Sequence, residues 1–178
     1  MNLPNKLTIL RILMIPFFVA FLLWQGGALY VCRVAAAGIF AVACLTDTLD
    51  GWIARKYGLV TNFGKFMDPL ADKLLVCAAL VGLVSLGLAP AWVVIVIISR
   101  EFVISGFRLV ASDKGVVIAA GVWGKLKTVF QMAAVILLVL PMGISQIAGQ
   151  ICLWVALALT IISLVEYIWK NRDVLAEG

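Results

Sequence analysis

Val34-Ala-Ala-Ala-Gly-Ile-Phe-Ala-Val-Ala-Cys-Leu45 is followed by Asp47-Thr-Leu-Asp50-Gly51-Trp-Ile-Ala54-Arg55, and eight residues later by Gly64-Lys-Phe-Met-Asp68-Pro-Leu-Ala-Asp72 and the apolar run Leu74 to Leu88. Two apolar runs thus flank four aspartates. Spacing of three and four residues puts Asp47, Asp50, Gly51 and Ala54 on one stripe of a helix, and Asp68 and Asp72 on one stripe of the next. Helices joined by so short a connection lie antiparallel as neighbours, so both acidic stripes converge at one end of the pair. Pro69 suits the first turn of a helix, which places the start of the second helix close to Asp68.

Outward from this pair, apolar runs centre on Leu13 to Trp24, Ala91 to Val110, Val129 to Leu140 and Ile147 to Trp169. With about 20 residues per crossing, the 178 residues, 65% hydrophobic and 13% charged, hold six transmembrane helices and no soluble core. The breaks Gln25-Gly26-Gly27, Gly87 to Pro90 and Pro141-Met142-Gly143 are uncharged. Lys6 and Arg11, then Arg55, Lys56 and Lys65, then Lys114, Lys125 and Lys127, then Lys170 and Arg172 occupy the alternate segments. Basic residues beside membrane helices stay in the cytoplasm, so both termini and the acidic pocket are expected on that side. The first 24 residues have the outline of a secretory signal, but no small-x-small cleavage site follows Trp24 and Pro16 interrupts the run. The reading is an all-α membrane protein with a single integral membrane catalytic domain over residues 1–178.

The chain has no histidine, which removes imidazole acid/base chemistry and imidazole metal ligands. Cys32, Cys44, Cys77 and Cys152 lie in apolar stretches without metal-site spacing and read as small buried hydrophobes. An ionised acid at mid-membrane costs about 2.5 to 3.5 kcal/mol, and four together repel one another, so something positive must balance them. An all-oxygen set suits a hard divalent cation, Mg²⁺ or Mn²⁺, and two such ions would hold a pyrophosphate. The plain alternative is four solvated acids paired with nearby bases. Arg100 and Glu101 interrupt the fourth run near mid-depth, either as functional groups or as an ion pair that fixes packing. Arg108, Lys125 and Lys127 form a cationic cluster suited to a small phosphorylated molecule, with headgroup binding as the alternative for the two lysines.

Asp47-x-x-Asp50-Gly51-x-x-Ala54-Arg55, eight residues, Gly64-x-x-x-Asp68-x-x-x-Asp72 resembles the CDP-alcohol phosphotransferase signature at all eight fixed positions. Pro4-Asn5-x-x-Thr8-x-x-Arg11, Arg100-Glu101 through Gly106-Phe107-Arg108, and Gly124-Lys125-x-Lys127-Thr128-x-x-Gln131 are similar to the bacterial phosphatidylglycerophosphate synthase branch of that family. Phe107 departs from the usual Leu, and Thr48-Leu49 is less aromatic than usual. The resemblance implies a CDP-alcohol phosphotransferase fold and transfer of a phosphatidyl group from CDP-diacylglycerol to glycerol 3-phosphate with release of CMP. It further implies that Asp47, Asp50, Asp68 and Asp72 ligate the Mg²⁺ or Mn²⁺ ions and that Asp72 is the general base. Thr8, Arg11, Gly51, Arg55, Thr61 and Gly64 would hold the cytidine diphosphate. Arg100, Arg108, Lys125 and Lys127 would hold the acceptor phosphate.

The implied partners are these two substrates, membrane lipid and a second copy of the chain as a homodimer, with no nucleic acid. The implied location is the bacterial cytoplasmic membrane, active site toward the cytoplasm. Rival readings keep the reaction with serine, inositol phosphate or phosphatidylglycerol as acceptor, or make the chain a small cation transporter or channel. Acids gathered at one end, without an inverted repeat, argue against the last.

Overall fold

Lipid offers the backbone no hydrogen bonds, so apolar runs of this length must satisfy their own amides and carbonyls as helices. The computed structural model describes residues 3–57, 62–113 and 121–170. In order these form α1 (Leu3–Leu23), a short 3-10 turn (Trp24–Gly27), α2 (Tyr30–Lys56), α3 (Asn62–Ser85), α4 (Ala91–Asp113), α5 (Val122–Val139) and α6 (Gly143–Lys170). No strand occurs among the described residues. Among the described residues, four segments are long and apolar enough to cross a membrane by length and composition: Asn5–Gly27, Tyr30–Leu49, Val122–Val139 and Gly143–Lys170. Between them, α4 carries Arg100, Glu101 and Arg108 within its span.

The helices extend beyond the apolar runs. Hydropathy marks the part of a helix that suits lipid, whereas the helix continues while its amides remain paired. Hence α1 starts at Leu3 and α5 at Val122, and Lys125 and Lys127 fall in the first two turns of α5. Pro16 lies inside α1. The start expected near Asp68 is corrected: α3 begins at Asn62, which leaves Pro69 inside the helix. A proline there withdraws one backbone hydrogen bond from the preceding turn, a smaller loss than ending the helix.

The core joins all six helices through Phe18 and Leu22 of α1, Phe40 of α2, Leu75 and Leu80 of α3, Ile97 of α4, Leu138 of α5 and Leu153 of α6. Phe17, Val31, Ile95, Ile144 and Val165 are exposed on the outer surface. An apolar exterior over an apolar core is the pattern of a bundle solvated by lipid.

Long-range contacts hold the uncharged turns together at one end. Arg33 donates from Nε to the Val139 carbonyl at 2.8 Å and from Nη2 to the Leu138 carbonyl at 2.7 Å, satisfying two of the carbonyls that the end of α5 leaves unpaired. Gln150 Nε2 donates to the Leu88 carbonyl at 2.6 Å. The chain turns there through left-handed Gln25, Gly26 and Gly27.

At the same end α5 and α6 approach closely at Gly149, where an added Cβ would stand 2.9 Å from the Leu138 backbone nitrogen. Backbone cannot yield as a flexible side chain can. Gly149→Val is therefore expected to destabilise the bundle by about 1 to 3 kcal/mol. The measurement is a melting curve in detergent, and an unchanged midpoint would show that this approach is not close.

Candidate active site

At the opposite end, each of the six helices contributes polar side chains. Asp47 stands nine residues before the end of α2, about 14 Å below the helix tip at 1.5 Å per residue. At that depth a lone carboxylate is unfavourable, and α1 supplies the counter-charge. Arg11 is wholly buried and its Nη1 lies 2.8 Å from Asp47 Oδ1, with the Asp47 side chain 32% exposed. Arg11, assigned from the resemblance to the cytidine diphosphate, is thus placed against an acid of the signature. Thr8, one turn earlier on α1, is also wholly buried.

Asp72 of α3 lies within electrostatic reach of Asp47, Arg11 and Glu101. The two ends of the acidic signature therefore converge from adjacent helices, as their spacing predicts. Asp50, Gly51, Arg55, Gly64 and Asp68 belong to α2 and α3, but their side chains lie outside the described residues, as does Thr61 altogether. Among the described residues no group of three acids or thiols forms a metal cage. The carboxylates of Asp47 and Asp72 are partly buried oxygen donors within electrostatic reach of each other, and this donor chemistry fits a hard divalent cation rather than a soft one.

The four residues assigned to the acceptor phosphate separate into three environments. Arg100 donates from Nη1 to Glu101 Oε1 at 2.7 Å and from Nη2 to Ser163 Oγ of α6 at 2.9 Å. Lys127 Nζ donates to the same Glu101 oxygen and its side chain is only 1% exposed. Glu101 thus binds the cations of α4 and α5 together. Lys125 is exposed, two positions and about 200° around α5 from Lys127 at the helical repeat, so the expected cluster is divided. Arg108 lies about two turns beyond Arg100, its Cζ 5.9 Å from the Tyr167 ring centroid, a cation–π distance. Phe107 packs edge-on to the same ring.

Sequence reasoning gave no role to Ser163, Tyr167 or Gln131. Ser163 and Tyr167 sit in a mostly apolar run, and only their matching depth with Arg100 and Arg108 could have signalled them.

Between α3, α4 and α5 this layer encloses a cavity of about 30 Å³, lined by Asp72, Cys77, Glu101, Lys127 and Gln131 among others. Beside it, sharing Lys73 and Cys77, lies an apolar groove of about 410 Å³ walled by Ile12, Leu70, Leu74 and Phe102. A cavity that carries charged side chains and an apolar groove with a common wall suit an amphiphile.

The family model described as CDP-alcohol phosphatidyltransferase matches residues 1–162. The chain belongs to that family. Among curated relatives of this phosphatidyltransferase, the CDP-diacylglycerol--glycerol-3-phosphate 3-phosphatidyltransferase of Bacillus subtilis is 49% identical, covering 98% of this chain and 97% of its own. A probable phosphatidylglycerophosphate synthase of Mycobacterium tuberculosis is 45% identical over 97% of this chain and 83% of its own. The Haemophilus influenzae protein named as the Bacillus one is 41% identical over 99% and 97%. Membership makes the chain a phosphatidyltransferase enzyme of phospholipid biosynthesis.

Proposed function

We propose that the chain transfers the phosphatidyl group of CDP-diacylglycerol to glycerol 3-phosphate, giving phosphatidylglycerophosphate and CMP. The observation that carries the reading is the convergence of Asp47 and Asp72 at the polar end of the bundle, beside an apolar groove. That placement lets acyl chains remain in lipid while the headgroup reaches the acids. The names of the relatives supply the acceptor.

In the reaction, an acceptor hydroxyl oxygen forms a bond to the phosphatidyl phosphorus, and the bond from that phosphorus to the oxygen of CMP breaks. The hydroxyl proton passes to Asp72. Asp47, Asp50, Asp68 and Asp72 would hold Mg²⁺ or Mn²⁺, two ions in this reading. When bound, the metal supplies positive charge to the diphosphate, the main requirement of phosphoryl transfer. Arg11 holds the Asp47 carboxylate in place from α1. Thr8, Gly51, Arg55, Thr61 and Gly64 bind the cytidine diphosphate. Arg108 and Lys125 meet the acceptor phosphate first, and Lys127 and Arg100, gathered by Glu101, receive it deeper in the bundle. The charge pattern of the sequence supports a site facing the cytoplasm, and the active form in this reading is a homodimer.

The test is CMP release by purified protein from CDP-diacylglycerol with Mg²⁺ or Mn²⁺. Release is expected with glycerol 3-phosphate, and chelation by EDTA is expected to abolish it. Release only with serine, inositol phosphate or phosphatidylglycerol would replace the acceptor, and release with none would reject the transferase reading.

A further inference from the structure

Gln131 of α5 is 2% exposed, and its Oε1 is a buried acceptor with no donor among the described residues. It lies one turn after Lys127, on the same face of the helix, and lines the cavity that also contains Asp72. Two neighbouring polar groups on the same helix are engaged elsewhere. Lys127 is held by Glu101, and Thr128 gives its hydroxyl hydrogen to the Gly124 carbonyl at 3.0 Å. A buried polar atom without a partner is unfavourable, so this arrangement is suited to receiving a donor from a ligand. The cavity of about 30 Å³ has room for a group about the size of one water.

We infer that Gln131 is a specificity-determining residue of the acceptor site, its carboxamide receiving the hydroxyl on the carbon next to the one that bears the attacking oxygen. The inference rests on the proposal that Asp72 faces the attacking hydroxyl. In glycerol 3-phosphate the second hydroxyl is one carbon away from the first, and Gln131 lines the same small cavity as Asp72. With the first oxygen at Asp72, the second is directed toward the orphaned amide oxygen. Acceptors with adjacent hydroxyls then gain a hydrogen bond, whereas those without the second leave Gln131 unpartnered in the complex. Sites built around a hydroxyl discriminate strongly against analogues that lack it.

The experiment compares two acceptors, glycerol 3-phosphate and 3-hydroxypropyl phosphate, which differ only in the second hydroxyl. The full chain is assayed in vesicles containing CDP-diacylglycerol and the divalent ion. The unaltered protein is expected to favour glycerol 3-phosphate by about 100-fold or more in kcat/KM. Gln131→Leu should reduce that ratio at least tenfold, through a loss on glycerol 3-phosphate with the analogue rate retained. Gln131→Glu, which keeps an acceptor, should restore part of the ratio. A purely structural Gln131, paired with an ordered water, would lower both rates together and leave the ratio intact, which would overturn the inference. So would a ratio near one in the unaltered protein. If Gln131→Leu fails to fold, Gln131→Met provides the same comparison. Should the unaltered chain release CMP with neither acceptor, the phosphatidyl-transfer reading itself fails, a result distinct from an unchanged ratio.

Discussion

Asp72→Asn is expected to lower kcat by about 10²- to 10⁴-fold, the range for loss of a positioned general base, while the protein stays folded. The amide has the shape of the carboxylate but neither accepts the acceptor's proton nor carries its charge. The expected effect on stability differs from that on activity. Asp72 is surrounded by like charge from Asp47 and Glu101, offset by Arg11 and Lys73. Removing one of three neighbouring carboxylates relieves repulsion, so the melting midpoint of Asp72→Asn should be equal to or above that of the unaltered protein. A group kept at a cost in stability and required for turnover is the expected form of a reaction site. The measurements are CMP release and thermal melting on the same preparation. Retained turnover would remove Asp72 from the chemistry, and a large fall in the midpoint would assign it a structural role.

The apolar runs made the number and order of the helices legible, because each is a long interval that can satisfy its backbone only as a helix. The convergence of Asp47 and Asp72 followed from spacing on two helices joined by a short connection. Boundaries were less legible. The start of α3 at Asn62 rather than Asp68 shows that Pro69 can be accommodated within a helix. The cationic cluster was legible only in part, because charge along the chain does not carry its angle, and Lys125 and Lys127 face apart on α5. The partners of the deep charges were the least legible part. Glu101 stood beside Arg100 in the sequence, yet its hold on Lys127, 26 residues away, depends on the helix depths matching. Gln131 appeared only as the last position of a motif, because orphaned burial is a property of the packed bundle.

Glu101→Gln is the variant expected to destabilise the fold most. Its carboxylate is the common partner of Arg100 and Lys127, whose side chains are 9% and 1% exposed, while its own is 23% exposed. The amide still accepts a hydrogen bond but removes the carboxylate charge that both cations contact directly. Breaking a buried pair from one side typically costs about 3 to 5 kcal/mol, and the partial exposure of Glu101 points to the lower end. For a chain of this size, about 3 kcal/mol corresponds to a fall of about 6 to 12 °C in melting midpoint. Lys170→Gln removes an outer pair with Glu166, at 2.6 Å but with Lys170 67% exposed, and should cost under about 1 kcal/mol. The double variant Glu101→Gln with Lys127→Met should recover part of the loss, since Arg100 keeps Ser163 and one uncompensated cation is removed. If Glu101→Gln melts with Lys170→Gln, the cations are solvated in place and Glu101 does not gather them. If it melts far below and the double variant lies between, Glu101 is what allows two cations to stand at this depth before any phosphate arrives.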